Sequence, residues 1–215
     1  MQEDMSQDFL QKIGQTLEQR RLGLMGRYTK TAVLIPLVFT EQGTLGVLFE
    51  ERSHTMRRQP GEISFPGGHF EETDGTMGIT AVRETSEELG ISQHAIQVLG
   101  ELDTFASATG LMVYPFVGLL EAYPNLSPNR QEVERVFVVE LHRLLEVTPR
   151  KYTIPLQPNP PQDFPYHLIP KGRDYAWRTS QSEVWFYELE DLVVWGLTAR
   201  ILNHFLEVVR FVGVT

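Results

Sequence analysis

Residues 65–91 read FPGGHFEETDGTMGITAVRETSEELGI. The stretch opens on a Pro66-Gly67-Gly68 turn, passes an acidic loop and enters a segment with helical periodicity. At roughly 100° per residue, Ile79, Val82, Ser86 and Leu89 share one narrow face, and Glu84, Glu87 and Glu88 share the opposite one. Gly90 stands where a helix C-cap is expected. Three carboxylates at i,i+3 and i,i+4, with no lysine among them, repel by roughly a few tenths of a kcal/mol per pair. A cation between them relieves that repulsion, and hard carboxylate oxygens suit Mg²⁺ or Mn²⁺. An ordinary solvated acidic face satisfies the helix pattern as well. The helix alone leaves both readings open, and the loop in front of it decides.

That loop and helix resemble the Nudix box, Gly-x5-Glu-x7-Arg-Glu-(Ile/Leu/Val)-x-Glu-Glu-x-Gly-(Ile/Leu/Val). Gly68, Arg83, Glu84, Glu87, Glu88, Gly90 and Ile91 stand in its places. Asp74 replaces the first Glu, one extra residue separates it from Arg83, and Thr85 sits where an aliphatic is usual. The first two departures resemble the coenzyme A pyrophosphatase branch of the family. An abutting upstream motif of that branch, Leu-Leu-Thr-x-Arg-Ser-x3-Arg-x3-Gly-x3-Phe-Pro-Gly-Gly, is met by Leu48, Arg52, Ser53, Arg57, Gly61, Phe65, Pro66, Gly67 and Gly68, with Phe49 and Glu50 as mismatches.

With 215 residues the chain is long enough for one domain with a sizeable core. Its hydrophobic content of 41% and charged content of 22% are those of a globular protein. A net charge of −9 argues against nucleic acid or an anionic membrane as partner, so an anionic substrate must be received by metals and local arginines. The absence of cysteine excludes disulfides, thiolate chemistry and Cys-based zinc sites. The start, MQEDMSQDF, has no signal-peptide apolar region, and no apolar run reaches a membrane span; a cytoplasmic location is expected.

Leu10, Ile13, Leu17 and Leu24 recur at helical spacing in the first 28 residues, with Ser6 as N-cap, predicting a helical extension that docks on a sheet edge. Residues 29–215 are expected to form the catalytic domain. Thr31–Thr40 predicts a buried strand with Pro36 at a bulge or edge, and Leu45–Arg52 its hairpin partner. The polar segment 53–62 follows, then a short strand at 63–65. Residues 95–106 and 112–120 read as strands around a turn at Ser107–Gly110, and Val136–Leu141 as a strand before a short helix. The Pro-rich segment 149–170 reads as loop with short extended pieces. A strand at Ser182–Leu189 precedes a last helix starting at Glu190 or Asp191, with Leu197, Ile201, Phe205 and Val208 on its core stripe. Strands flanking the acidic helix indicate an α/β mixed sheet with helices on its faces. The resemblance implies the same, a Nudix-type α/β/α sandwich with added N- and C-terminal helices.

The resemblance further implies Glu84, Glu87, Glu88 and the Gly68 carbonyl as ligands of Mg²⁺ or Mn²⁺, with Glu87 and Glu88 catalytic. Arg83 would orient them through an i,i+4 pair with Glu87. Glu132, with Glu134 in reserve, is the expected proton acceptor; a surface Glu at a strand entrance fits either one equally well. Arg52, Arg57, Gly67 and Gly68 are expected at the substrate, because guanidinium gives forked donors and glycine lets backbone approach phosphate. Arg57 paired with Glu50 or Glu51 on the surface is the alternative. His69 could also reach substrate, or be a polar cap on a loop. The implied partner is a small nucleotide substrate, coenzyme A-like, in a chain for which a homodimer is held open. A different diphosphate such as ADP-ribose or a dinucleotide, and a non-catalytic nucleotide-binding regulator, are the competing readings.

Overall fold

Helix α1 (Gln2–Gln19) leads to strand β1 (Thr29–Phe39), which turns back as β2 (Leu45–Arg52). Short strands β3 (Ile63–Ser64) and β4 (Gly67–His69) precede helix α2 (Met77–Leu89). Next come β5 (Ile96–Glu101), β6 (Phe105–Ala106), β7 (Leu111–Leu120), β8 (Val133–Glu140), helix α3 (Leu141–Glu146) and β9 (Arg150–Leu156). The chain ends with β10 (Ser180–Glu188), β11 (Val193–Trp195) and helix α4 (Gly196–Phe211). The structure is a computed structural model and describes residues 2–20, 23–211 and 213. Among these residues no helix is long and apolar enough to cross a membrane.

Strand β1 is almost wholly apolar because both its faces are covered. Ala32, Leu34 and Val38 meet Ala81 and Leu89 of α2 on one face. Ile35 and Leu37 face a second core containing Trp185, Tyr187, Ile201, Leu202 and Phe205 from β10 and α4. The main sheet runs β3-β2-β1-β7-β5, with β4 on β1, β6 on β7 and β8 on β2; β9, β10 and β11 form a second sheet of three strands. Strands β1 and β7 are parallel and the remaining pairs antiparallel, so the sheet is mixed. The expected α/β layering with helices at both chain ends is present.

Several expectations change. Pro36 lies in a central strand, neither bulged nor at an edge. Its neighbour on one side switches there, from β4, paired up to Val33, to β2, paired from Leu37, so its missing N–H falls in the gap. The run 95–106 is broken after Glu101 into two strands. The Pro-rich segment contains a seven-residue strand, β9, which tolerates Pro155 because it is an edge strand paired with β10 alone. The last helix starts later than expected, at Gly196, because Val193–Trp195 pairs with β10. On its stripe Ile201 and Phe205 are buried, whereas Val208 is 42% exposed and Leu202 and Leu206 take the core positions. Ser6 lies inside α1, which begins at Gln2, and is not its N-cap. The α1 stripe of Leu10, Ile13 and Leu17 is exposed, not packed on a sheet edge.

Candidate active site

Helix α2 is fixed at both ends. Thr76 Oγ1 accepts the Ile79 N–H at 3.3 Å, and Gly90 closes the C-terminus in the left-handed region, φ 63°. The buried face is not the one expected from spacing. Ile79 is half exposed, while Thr80, Ala81, Thr85, Glu88 and Leu89 are buried. The reason lies in β4. A Cβ at Gly67 would stand 2.3 Å from the Ala32 carbonyl oxygen, so only glycine lets this strand lie so close to β1. At Gly68 a Cβ would stand 2.3 Å from the carboxyl carbon of Glu84, which occupies that space. The bare strand therefore draws the glutamate side of α2 inward.

Three carboxylates of the helix take different places. Glu88, 5% exposed, accepts the Gly67 N–H at 2.7 Å. Glu84 lies over Gly68 and pairs with Arg83 at 3.0 Å. Glu87 points outward, 57% exposed, with Arg83 at 3.3 Å. The expected Arg83–Glu87 pair is thus present but is not the main one. Arg83 forks onto buried Asp74 at 2.8 and 3.1 Å and reaches the His69 carbonyl at 3.1 Å. Those bonds hold the Asp74 carboxyl well below the usual range, helped by the Glu71 N–H and the Thr80 hydroxyl. Asp74 in turn joins the acidic loop to α2 through Thr80 at 2.8 Å.

The inward carboxylates repel one another. Burial, then the charge of Glu50, pushes Glu88 up to about 9 against the opposing Gly67 N–H. Glu84 is raised by burial, with Arg83 pulling the other way. Glu132, in the turn before β8, faces the same group, since its charge acts on Glu50, Glu84 and Glu88 alike. Its position is tied to β2 by the Ser53 N–H on its carbonyl at 2.7 Å, and its carboxylate accepts from Asn129 at 3.2 Å. Glu134 is exposed on β8, its carbonyl bonded to Arg130.

Arg52 ends β2 beside Glu50, its buried Nε without a partner. Arg57 is exposed in a loop cinched at its base by Arg52 N to Glu62 O and Gly61 N to Arg52 O, both 3.0 Å. The surface pairing entertained for it does not occur: Glu51 binds Arg135 and His54, and Glu50 binds Ser64. His69 is exposed on β4. The residue that motif reading passed over is Glu50, which it counted as a mismatch. The signal available was an acid inside the apolar run of β2.

Thr85, which replaces the usual aliphatic, is fully buried with its hydroxyl unpartnered. T85V keeps the shape and removes that hydroxyl. It is expected to add about 1 kcal/mol, raising Tm by roughly 2–4 °C in a thermal melt; an unchanged or lower Tm would show the hydroxyl to be satisfied.

The donor set suits a hard divalent cation: several carboxylate oxygens, mutually repelling, one of them buried and bare. Among the described residues no three such groups yet close around a common point. Glu84 leans on Arg83, Glu88 on Gly67 and Glu87 towards solvent.

Residues 28–157 match the family model of the NUDIX domain. An uncharacterized Nudix hydrolase, NudL of Photorhabdus laumondii, is 34% identical over 179 residues, 83% of this chain and 84% of the relative. Nudix hydrolase 22, chloroplastic, of Arabidopsis thaliana is 35% identical over 183 residues, 82% of this chain but 54% of the plant protein. The crystal structure of a MutT/nudix family protein from Enterococcus faecalis aligns with a TM-score of 0.50 at 16% identity, covering 94% of this chain and 70% of that one, a likeness of fold alone.

Proposed function

Because the chain belongs to the Nudix hydrolase family, we propose that it cleaves the diphosphate bridge of coenzyme A or its acyl derivatives, giving 3′,5′-ADP and (acyl-)4′-phosphopantetheine. The observation that carries this is the continuity of the two motifs in space. The upstream motif supplies β2 with Arg52, the cinched loop with Arg57, and β3–β4, which run directly into the carboxylates of α2. Residues 29–215 act as one catalytic unit, since β10 and α4 share a core with β1 and β7.

In this reading Glu84, Glu87, Glu88 and the Gly68 carbonyl would hold Mg²⁺ or Mn²⁺. The ions, when bound, supply charge neutralisation on the phosphates and lower the pKa of water. Arg83 fixes the geometry through Asp74 and Glu84 and does not touch substrate. Arg52 and Arg57 receive phosphate oxygens with forked donors. Glu132, next to the carboxylates on a turn pinned to β2, takes the proton of the attacking water.

The pH dependence has a definite sign. With Glu88 pushed up to about 9 by burial and then by the charge of Glu50, itself raised to about 7 mainly by burial, a proton competes with the cation for the Glu88 oxygens. Affinity for Mg²⁺ is expected to rise with pH across that window, with protons released on binding. Calorimetry in two buffers of different ionisation enthalpy reads both; an affinity flat between pH 6 and 9 contradicts it. Without metal, these groups favour the fold below the unfolded carboxyl pKa, about 4.3, and lose that contribution as pH rises through 7 to 9. The Tm of metal-stripped protein should fall over this range.

A panel of diphosphates incubated with Mg²⁺, with products resolved by mass, tests the substrate. Release of 3′,5′-ADP from coenzyme A supports the proposal. Cleavage of ADP-ribose or a dinucleotide alone moves the activity elsewhere in the family. No cleavage with any metal makes the chain a binding domain.

A further inference from the structure

We propose that Glu50, on β2, is an additional oxygen ligand of the divalent cation, one that helix α2 does not supply. The proposal rests on the metal-dependent reading above. Glu50 is 1% exposed, in a strand whose neighbours Val47, Leu48 and Phe49 are fully buried apolar residues. Strand alternation places it on the face of Leu48, which packs in the α2 core. Ser64 donates to its Oε1 at 3.2 Å, while its Oε2 is buried with no hydrogen-bond partner. A bare, buried carboxylate oxygen is costly and rare in a folded chain.

Its surroundings point to what fills that need. Glu88 hangs from the Gly67 N–H and Glu50 from the Ser64 hydroxyl, three residues apart on one short segment. The two carboxylates are thereby brought together, and Glu50 is the largest charge acting on Glu88. The positive groups do not resolve the conflict. Arg83 is committed to Asp74, Glu84 and Glu87, and Arg52, whose charge pulls the Glu50 pKa down, makes no bond to it and leaves it raised by burial. Two inward carboxylates, one with a bare oxygen, and a third acid, Glu132, whose charge acts on both, supply the kind of oxygens a hard cation takes. The competing account is a carboxyl pair that shares a proton and never meets metal.

Manganese separates the two. Mn²⁺ alone is titrated into the full chain and free ion is read by electron paramagnetic resonance, for wild type, E50Q, E50D and E88Q, each checked by circular dichroism. E50Q keeps the size and the Ser64 bond, and is expected to weaken Mn²⁺ binding at least ~10-fold or remove one site. Wild-type stoichiometry and affinity in folded E50Q, with binding lost in E88Q, overturns the role of Glu50 and leaves the metal-dependent reading intact. No Mn²⁺ bound by wild type removes both. Should E50Q fail to fold, E50D retains the charge and withdraws the oxygen, with the same weakening expected. Independently, the anomalous signal of wild-type crystals grown with Mn²⁺ should place an ion about 2.1 Å from Oε2; an ion bound only beyond about 4 Å sinks the proposal.

Discussion

E88Q is expected to lower kcat by ~100-fold or more while leaving the protein folded and, without metal, slightly more stable than wild type. The two effects have one cause. Burial and the neighbouring Glu50 push the Glu88 pKa up to about 9, so without metal the folded chain at neutral pH must hold a proton there that the unfolded chain releases. An uncharged glutamine still accepts the Gly67 N–H through its carbonyl oxygen, so the 2.7 Å bond to β4 survives. It needs no proton to sit beside Glu50, and it no longer offers an anionic oxygen to a cation. Activity and stability are thus traded at this position. E87Q should lose activity similarly with no change in Tm, since Glu87 is 57% exposed and its Arg83 contact is the weakest of that arginine's ion pairs. Steady-state kinetics with saturating Mg²⁺ and thermal melts in chelator read both quantities. Wild-type turnover in E88Q, or a collapsed fold, contradicts the role assigned to Glu88.

G90A is expected to cost about 2–4 kcal/mol, because two penalties add. Gly90 has φ 63°, where an L side chain is disfavoured, and its added Cβ would stand 1.9 Å from the Ser127 carbonyl oxygen. That oxygen belongs to a backbone held against α2 by Ser127 N to Leu89 O at 3.0 Å and Asn129 N to Glu88 O at 2.9 Å. The same loop positions Glu132, whose N–H bonds Asn129 O at 2.9 Å. Moving it therefore disturbs the proposed base as well as the helix end. A Tm lower by roughly 5–15 °C and a kcat lower by more than ~10-fold, measured well below the transition, are expected. G43A is the control: Gly43 has φ 77° with nothing near its Cβ position, so it carries the conformational cost without the clash. Equal melting losses in the two variants would show that the Ser127 contact carries no weight.

Local chemistry was legible from the chain by itself. The left-handed cap at Gly90, the β1–β2 hairpin, the turn at Ser107–Gly110 and the mixed α/β layering each depend on a few adjacent residues or on a period. The motif that joins Gly68 to Glu84, Glu87 and Glu88 belongs to the same level, because it lies within one short stretch. Arg83 is an instructive middle case. Its i,i+4 partner Glu87 followed from helix geometry, whereas its stronger partner, Asp74, depends on how the loop folds back.

What the tertiary structure alone decided were the faces and the neighbours. Spacing nominated Ile79 for the core and Glu88 for solvent. The side-chain-free surface of β4 reversed this, because close approach of backbones outweighs the hydrophobicity of one residue. Pro36 became central, and the run before α4 became a strand, through partners many residues away. Glu50 acquired meaning only when β2 and β3 brought it to Ser64, and Ser64 lies three residues from the N–H that holds Glu88. Periodicity and caps are set within a turn or two of chain. Which carboxylates share a low-dielectric space depends on sheet pairing across the whole molecule, and no local pattern encodes that.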